Sequence, residues 1–481
     1  MKKGGFVAMD RHTYGDDRWT LICDNYQGAE RRAAELLYAG VSAEVPYILT
    51  VQSTKEYKNA QSANLLLTGT RESNPLLAQA VRADEVPQGG YLVKVMQSPF
   101  AQGKQVAVAA GSDSVQALYA ASHFVNEYLP LARQRDDHMP YFKTLFSGAM
   151  KEYTAAETPA FTQRGIWTWG HCIYDYRRFA QHMAQLRLNE IILWNDYAPL
   201  NLKDAVACFH EYGIKVIFGY SWGWDEGVKI GCATELAHWC KQAVEVYARD
   251  YAQVDGDGIY IQSFTETDAE DIDGVPIAET VVKWVNTLSA AMLERWPQLQ
   301  IGFGLHATSV KNHLPVIAQV DQRIRILWED CGAFPYAYLS RAKQGEAQTL
   351  AFTDAIVALR PQCGCGVVLK GQVCLDWDRF EHQKGRFIMG CESDEKIAAR
   401  VAAVKRQWHD VQSYWLKNLP LCQHTLQHLV GHAVYDLVED AMLEEACWYP
   451  VALYAQLLWT PDARAEEVLQ RVAQRADITM A

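Results

Sequence analysis

From about residue 160 onward, apolar runs of four or five residues alternate with polar loops and longer stretches of helical spacing, the rhythm of parallel β/α units. The runs are 165–169 (Gly-Ile-Trp-Thr-Trp), 190–194 (Glu-Ile-Ile-Leu-Trp), 215–219 (Lys-Val-Ile-Phe-Gly), 258–262 (Gly-Ile-Tyr-Ile-Gln), 299–303 (Leu-Gln-Ile-Gly-Phe), 324–328 (Ile-Arg-Ile-Leu-Trp), 366–369 (Gly-Val-Val-Leu) and 386–389 (Arg-Phe-Ile-Met). Such units, spread over about 240 residues, match a chain of the α/β class folded as a (β/α)8 TIM barrel. The interior of that fold is packed solid, so its chemistry is expected in the loops at the carboxyl ends of the strands.

The segment before the barrel reads differently. A helical stretch at 29–38 precedes β-rich runs at 47–51, 64–68, 91–95 and 106–109, and a second helical stretch covers 114–128. Ser112-Asp113 offers an N-cap for that helix and Pro130 a stop. Strands followed by a closing helix predict a small N-terminal α/β sandwich domain. After about residue 395 the spacing is helical, at 394–415, 425–443, 448–458 and 463–473. The expected organisation is an N-terminal α/β domain at 1–155, a catalytic barrel at 156–395 and a helical C-terminal region at 396–481. The tail carries apolar Trp448, Leu453, Leu457 and Trp459, and its pattern leaves open whether it packs on the barrel or mediates a homodimer.

Charge and composition narrow the partners. The chain carries 45 Lys and Arg against 57 Asp and Glu, a formal charge of −12, which argues against nucleic acid and anionic lipid surfaces as partners. It contains no apolar run of about 18 residues, so no membrane span is expected. Met1-Lys2-Lys3-Gly4-Gly5 has no apolar stretch behind it, and the 12 cysteines, several inside apolar runs such as Val373-Cys374-Leu375, suit reduced thiols. A cytoplasmic location is the expectation. Cys363-Gly364-Cys365 lacks the spacing of a zinc site. No metal or other cofactor is expected.

The strand ends are both aromatic and acidic. They bring Trp169-Gly170-His171, Trp194-Asn195-Asp196, Tyr220-Ser221-Trp222-Gly223-Trp224-Asp225, Ser263-Phe264-Thr265-Glu266, Gly304-Leu305-His306, Trp328-Glu329-Asp330, and Lys370 followed by Asp376-Trp377-Asp378. Indole faces cover the apolar face of a sugar ring while carboxylate, imidazole, amide and ammonium groups reach its hydroxyls, so a small carbohydrate is the expected substrate. Trp169, Trp222, Trp224, Trp328 and Trp377 are candidate stacking walls. His171, Asn195, Asp196, His306, Lys370 and Asp376 are candidate contacts to hydroxyls or to an acidic substituent.

Glu266 is the candidate general acid. A carboxyl after an apolar strand and beside Phe264 has its charged form disfavoured by burial, as proton donation near neutral pH requires. Cleavage of a glycosidic bond needs a second carboxylate across the ring, and Glu329 or Asp330 supplies it, since alternation along a strand turns only one of the two inward. The acidic run Glu266, Asp268, Glu270, Asp271, Asp273 lacks the ordered ligand pattern of a calcium loop. Gly302-Phe-Gly304-Leu-His-Ala307 matches a dinucleotide fingerprint by letters, but it stands fifth in the β/α series, where close packing of barrel strands explains its glycines equally well. Asp255-Gly-Asp257-Gly258 reads as a turn into the fourth strand.

Three stretches resemble the bacterial α-glucuronidases and related barrel glycosidases with a hexosaminidase-like N-terminal domain: 106–119, ending Ser-Val-Gln-Ala-Leu-Tyr; 164–169, Arg-Gly-Ile-Trp-Thr-Trp; and 452–463, Ala-Leu-Tyr-Ala-Gln-Leu-Leu-Trp-Thr-Pro-Asp-Ala. The resemblance implies a general acid on strand four, matching Glu266, and an acidic base on strand six, matching Glu329 or Asp330. It also implies an acidic residue on strand seven, where this chain has Lys370. That departure bears on both mechanism and substrate. In the related β-hexosaminidases an Asp-Glu pair at strand four lets the substrate acetamide act as nucleophile; here the pair is Thr265-Glu266, which disfavours that chemistry. The reading is therefore a glycoside hydrolase for a small oligosaccharide or glycoside, with an acidic (uronic or sulfated) sugar as one form. The alternatives are a non-catalytic carbohydrate-binding protein on the same scaffold, an N-acetylhexosaminidase-type glycosidase, and a barrel lyase or isomerase for a sugar acid.

Overall fold

The computed structural model describes residues 18–45, 47–57, 64–132, 150–168, 172–220, 232–262, 264–265, 267, 269–306, 309–329, 346–360, 364–369, 385–437 and 443–481. The chain divides into two compact units, the first ending at Thr158 and the second beginning at Pro159.

In the first unit the order is β1 (Trp19–Ile22), α1 (Gly28–Ser42), β2 (Thr50–Gln52), β3 (Asn64–Gly69), α2 (Pro75–Ala80), β4 (Tyr91–Gln97), β5 (Gln105–Gly111), α3 (Ser114–His123), α4 (Leu129–Ala132) and β6 (Tyr153–Glu157). Its described strands form one sheet in the order β2-β1-β3-β5-β4-β6, parallel from β2 to β5 and antiparallel at β4. β5 is buried along its whole length, so its Val and Ala run has no polar face. Asp113 caps α3 by accepting from the Gln116 amide at 2.9 Å. Pro130 does not stop the helix. A π-helical turn at Phe124–Tyr128 shifts the bonding so that the Leu129 amide reaches Phe124 O, and Pro130 then sits in the first turn of α4, where its missing N–H costs least.

In the second unit the order is β7 (Arg164–Trp167), α5 (Tyr176–Gln185), β8 (Glu190–Trp194), α6 (Leu202–Glu211), β9 (Lys215–Gly219), α7 (Ala233–Val246), β10 (Gly258–Gln262), β11 (Asp271–Ile272), β12 (Val275–Pro276), α8 (Ile277–Arg295), β13 (Gln300–His306), α9 (Leu314–Ile317), β14 (Arg325–Glu329), α10 (Glu346–Val357), β15 (Cys365–Leu369), α11 (Asp394–His428), β16 (Ala433–Leu437), β17 (Cys447–Trp448), α12 (Tyr449–Leu457), α13 (Ala465–Ala473) and β18 (Ile478–Thr479). Strands β7-β8-β9-β10-β13-β14-β15-β16 close into a parallel barrel, with β16 pairing to both β15 and β7. This is a (β/α)8 TIM barrel.

The eighth strand is Ala433–Leu437 and not 386–389. Phe387 O accepts from the Leu200 amide, and the Met389 amide donates to Asn201 Oδ1, so this segment is tied to the loop after β8 instead of to a strand ladder. The expected boundary at 395 therefore falls inside the barrel, and α11 is the crossover helix between its last two strands. The stretch 425–443, expected as helix, holds the end of α11 and then β16; Gly431 at φ +95° lies in the connection, a conformation suited to glycine. Within α11 the backbone leaves helical geometry at Asn418, just before Pro420, which lacks the N–H for an i−4 bond. Among the described residues no helix is long and apolar enough to cross a membrane.

Alternation with a period of two sorts the barrel residues. On β14, Arg325 and Glu329 reach partners inside the barrel, whereas Trp328 donates its Nε1–H to Thr353 of α10 at 3.0 Å. Glycines stand opposite the large inward side chains. A Cβ on Gly165 would collide with the Tyr435 ring, and one on Gly304 would meet the Tyr260 hydroxyl and lie 2.7 Å from Glu329 Oε1. The glycines of 302–307 are thus strand-packing residues, and Gly304→Ala is expected to destabilise the fold by about 1–3 kcal/mol through overpacking, read as a lower urea midpoint at unchanged m-value. An unchanged midpoint would refute that packing role.

At the amino-terminal end of the barrel, Asp257 Oδ2 accepts from the Val216 amide at 2.8 Å and lies 2.9 Å from His210 Nε2. The hydrogen bond to Asp257 raises the His210 pKa above 6.5; burial alone would raise Asp257, but His210 and the Val216 amide hold it below 3.8. The histidine contribution is complete below pH 6.5 and fades as pH rises through its raised value. The aspartate contribution is present above pH 3.8 and fades as pH falls through its lowered value. The pair therefore stabilises most between these two limits, by about 1 kcal/mol or less given its partial exposure. Urea unfolding at pH 6 and pH 8.5 should show a loss of stability with pH that His210→Gln diminishes; an identical loss in the variant would exclude the pair as its source.

Candidate active site

The carboxyl ends of the barrel strands bring one polar cluster together inside an aromatic setting. Glu329, the last residue of β14, is fully buried. Its Oε1 accepts from the Tyr260 hydroxyl of β10, and its Oε2 lies 2.8 Å from His306 Nε2 of β13. The Tyr260 ring lies 5.0 Å from Trp167 and 6.2 Å from Trp194, centre to centre. A carboxylate withdrawn from water is costly unless donors replace its hydration, and here a phenol and an imidazole face its two oxygens.

The approach to Glu266 is fixed by its neighbour. Thr265 is fully buried; its Oγ1 accepts from the His306 amide at 3.0 Å, and its carbonyl accepts from Ser309 Oγ at 2.8 Å and from the Thr267 amide at 2.9 Å. The chain just after β10 is thereby tied to the end of β13. Glu266 itself lies outside the described residues, as do Trp169, His171, Trp222, Trp224, Asp330, Lys370, Asp376 and Trp377.

Four candidates can be placed, together with Glu329. His306 is fully buried against Glu329, so it supports that carboxylate and does not offer itself to hydroxyls from an open surface. Asn195 is buried, its backbone N–H donating to Gly219 O, and Asp196 is exposed beside it. Trp328 is not a wall of the mouth. Alternation turns its indole outward, where it packs 5.0 Å from Phe352 of α10 and is almost fully buried.

Sequence reasoning missed Tyr260, Trp167 and Trp194 as site residues. The signal was present in the alternation Gly258, Tyr260, Gln262, which puts Tyr260 on the inward face with Gly302 as its ladder partner and Gly304 leaving room for its hydroxyl. It also missed a clamp on the segment Cys172–Tyr174. Fully buried Glu444 accepts from the Tyr174 amide at 3.0 Å and pairs with Arg400 of α11, whose Nη1 donates to Cys172 O at 2.7 Å. Burial pushes the Glu444 carboxyl up, against the pull of Arg400 and the Tyr174 amide. The pair comes from residues far apart in sequence, so no local spacing announces it.

Two other features acquire local explanations. Asp273 (φ 54°) and Gly274 (φ 76°) form the two-residue turn between β11 and β12, and Glu270 contacts Asn312 and His313. Among the described residues no group of three His, Cys, Asp or Glu side chains could hold a metal.

No family model matches the chain, and no curated protein matches it. Solved structures do. A GH138 enzyme targeting pectin rhamnogalacturonan II aligns with a TM-score of 0.51 at 11% identity, covering 94% of this chain and 52% of that one. The likeness is one of fold. A family 89 glycoside hydrolase from Clostridium perfringens, in complex with 2-acetamido-1,2-dideoxynojirmycin, aligns at 0.44 with 10% identity over 92% and 50% of the two chains. A D-psicose 3-epimerase from Clostridium cellulolyticum H10 aligns at 0.33 with 12% identity over 65% and 96%. The chain spans about half the length of the GH138 enzyme. What these likenesses show is the fold, a TIM barrel with an added domain, and not the resemblance to α-glucuronidases.

Tyr260→Phe should cost about 1–3 kcal/mol, because it leaves one oxygen of a buried carboxylate without its donor while preserving the ring packing. Denaturant unfolding reads this directly. A variant as stable as the parent would show that the hydroxyl does not support Glu329.

Proposed function

We propose that the protein is a glycoside hydrolase acting on a small oligosaccharide or glycoside. The observation that carries this reading is a carboxylate, Glu329, aimed into the barrel at the carboxyl end of a strand, held from two sides and set among Tyr260, Trp167 and Trp194. Glu266, one residue beyond the anchored Thr265, is the general acid that protonates the leaving oxygen. The second carboxylate, which attacks the anomeric carbon or activates water against it, is Glu329 or Asp330. Glu329 points into the barrel with no solvent exposure, held by Tyr260 and His306, so it takes this role only where substrate binding opens a path to it. Fold likeness to glycoside hydrolases supports the reading as an analogy only.

An acidic sugar is the form of substrate that Lys370 would serve, as a point charge against a carboxylate or sulfate. No cofactor enters the reaction as proposed.

The test is a panel of nitrophenyl glycosides and uronides with the parent protein, Glu266→Gln and Glu329→Gln. Turnover of at least one substrate is expected, with kcat reduced about 10²–10⁴-fold in each variant. Binding without turnover across the panel would instead favour the carbohydrate-binding alternative. Activity that survives both substitutions would overturn the assignment of the pair.

A further inference from the structure

The connection from β10 to α8 carries Glu266 on a short arch, residues 265–270. At its first foot Phe264 and Thr265 are buried, and the Phe264 ring lies 5.8 Å from Trp284 of α8. At its second foot the Glu270 carbonyl accepts from the Ile277 amide at 3.0 Å, which closes the base of the β11–β12 hairpin. The hairpin is thus a side excursion, and the arch is what spans from strand to helix.

Both feet lean on the loop after β13. Ser309 Oγ donates to Thr265 O at 2.8 Å at the first. At the second, Asn312 Nδ2 donates to Glu270 Oε1 at 2.5 Å, and His313 Nε2 lies 3.1 Å from Glu270 Oε2. The supporting loop has its own hold on the barrel, since Ser309 and Val310 are fully buried, Val310 in the barrel core, and the His313 amide donates to Val310 O at 2.8 Å. Two bonds brace the arch from within: the Thr267 amide donates to Thr265 O at 2.9 Å, and the Ala269 amide to Thr267 Oγ1 at 3.3 Å.

Ala269 and Glu270 are exposed, so apolar burial does little for the second foot and hydrogen bonds decide where it sits. Asn312 and His313 lower the Glu270 pKa, which keeps this acceptor ionised at neutral pH. An exposed tie of this kind adds little to global stability. Its effect is local and bears on geometry. A proton donor has to stay within hydrogen-bond reach of the leaving oxygen, and a displacement of about 1 Å costs on the order of 10²-fold in rate. We propose that Ser309, Asn312 and His313 are positioning residues that act through Thr265 and Glu270 to fix the arch carrying Glu266. The inference rests on the reading of Glu266 as the general acid.

The test compares the whole chain with Glu270→Ala, Glu270→Gln and Ser309→Ala, each also combined with Glu266→Gln. On a substrate turned over by the parent, kcat should fall at least about tenfold in both alanine variants with KM within about threefold. Glu270→Gln keeps an acceptor for Asn312 and should hold kcat within about threefold of the parent. In the Glu266→Gln background Glu270→Ala should cost less than about twofold, because no proton donor remains to be placed. Equal losses in the two backgrounds, or an unchanged kcat in Glu270→Ala, overturn the positioning role while leaving hydrolysis standing. Ser309 is buried, so Glu270→Ala, at an exposed position, keeps the test decisive if Ser309→Ala folds poorly. Hydrogen exchange of the peptide covering 264–270 adds a readout that needs no turnover: at least about threefold faster exchange in Glu270→Ala is expected, with Glu270→Gln at the parent rate and the barrel strands unchanged. A parent that hydrolyses no glycoside sinks the hydrolytic reading alone, and exchange then decides whether the arch is tied; an unchanged rate in Glu270→Ala overturns the tie.

Discussion

A carboxylate with no access to solvent has to be answered by donors, and much of the carboxyl end of this barrel is arranged around that need at Glu329. Tyr260 and His306 come from two neighbouring strands to meet its oxygens. Gly304 between them has no side chain, because a Cβ there would occupy the space of the phenol. Thr265 then bonds the backbone of His306, which links the segment leading to Glu266 to the same cluster. Four strand ends or loops are thus coordinated by one buried charge and the hydrogen bonds it demands.

The same alternation that turns Glu329 inward turns Trp328 outward, and the two residues end in different environments although they are adjacent. Inward positions in the barrel are shared between large side chains and glycines, so that Tyr435 fills the space at Gly165 and Trp194 that at Gly219. Polar groups gather at the two ends, with Glu190, Arg325 and Tyr435 at one and Tyr260, His306 and Glu329 at the other. Leu327 separates them. A barrel built this way keeps an aliphatic contact between two polar ends.

Seven barrel strands were legible because each is an apolar run between polar segments, and the eighth was misread for an instructive reason. The run at 386–389 has the composition of a strand, whereas Ala433–Leu437 lies between His432 and an acidic stretch and follows a helix of 35 residues. Composition registers burial without naming the partner. Only the ladder to β15 and β7 shows which segment closes the ring.

For the site, the kinds of residue and the strand ends that carry them could be read from the chain, since a period of two and a barrel topology restrict chemistry to a few loops. Glu329 and His306 were legible as candidates in that sense. What the chain alone determined is therefore local: the alternation of runs and loops, the capping of α3 by Asp113, and the glycines set against bulky neighbours. The tertiary structure decided that Glu329 meets Tyr260 and His306, that Trp328 serves the β14–α10 contact, and that Arg400 finds Glu444. Those outcomes depend on side chains distant in sequence competing for one enclosed volume and for a limited set of hydrogen bonds, and no local pattern carries that information.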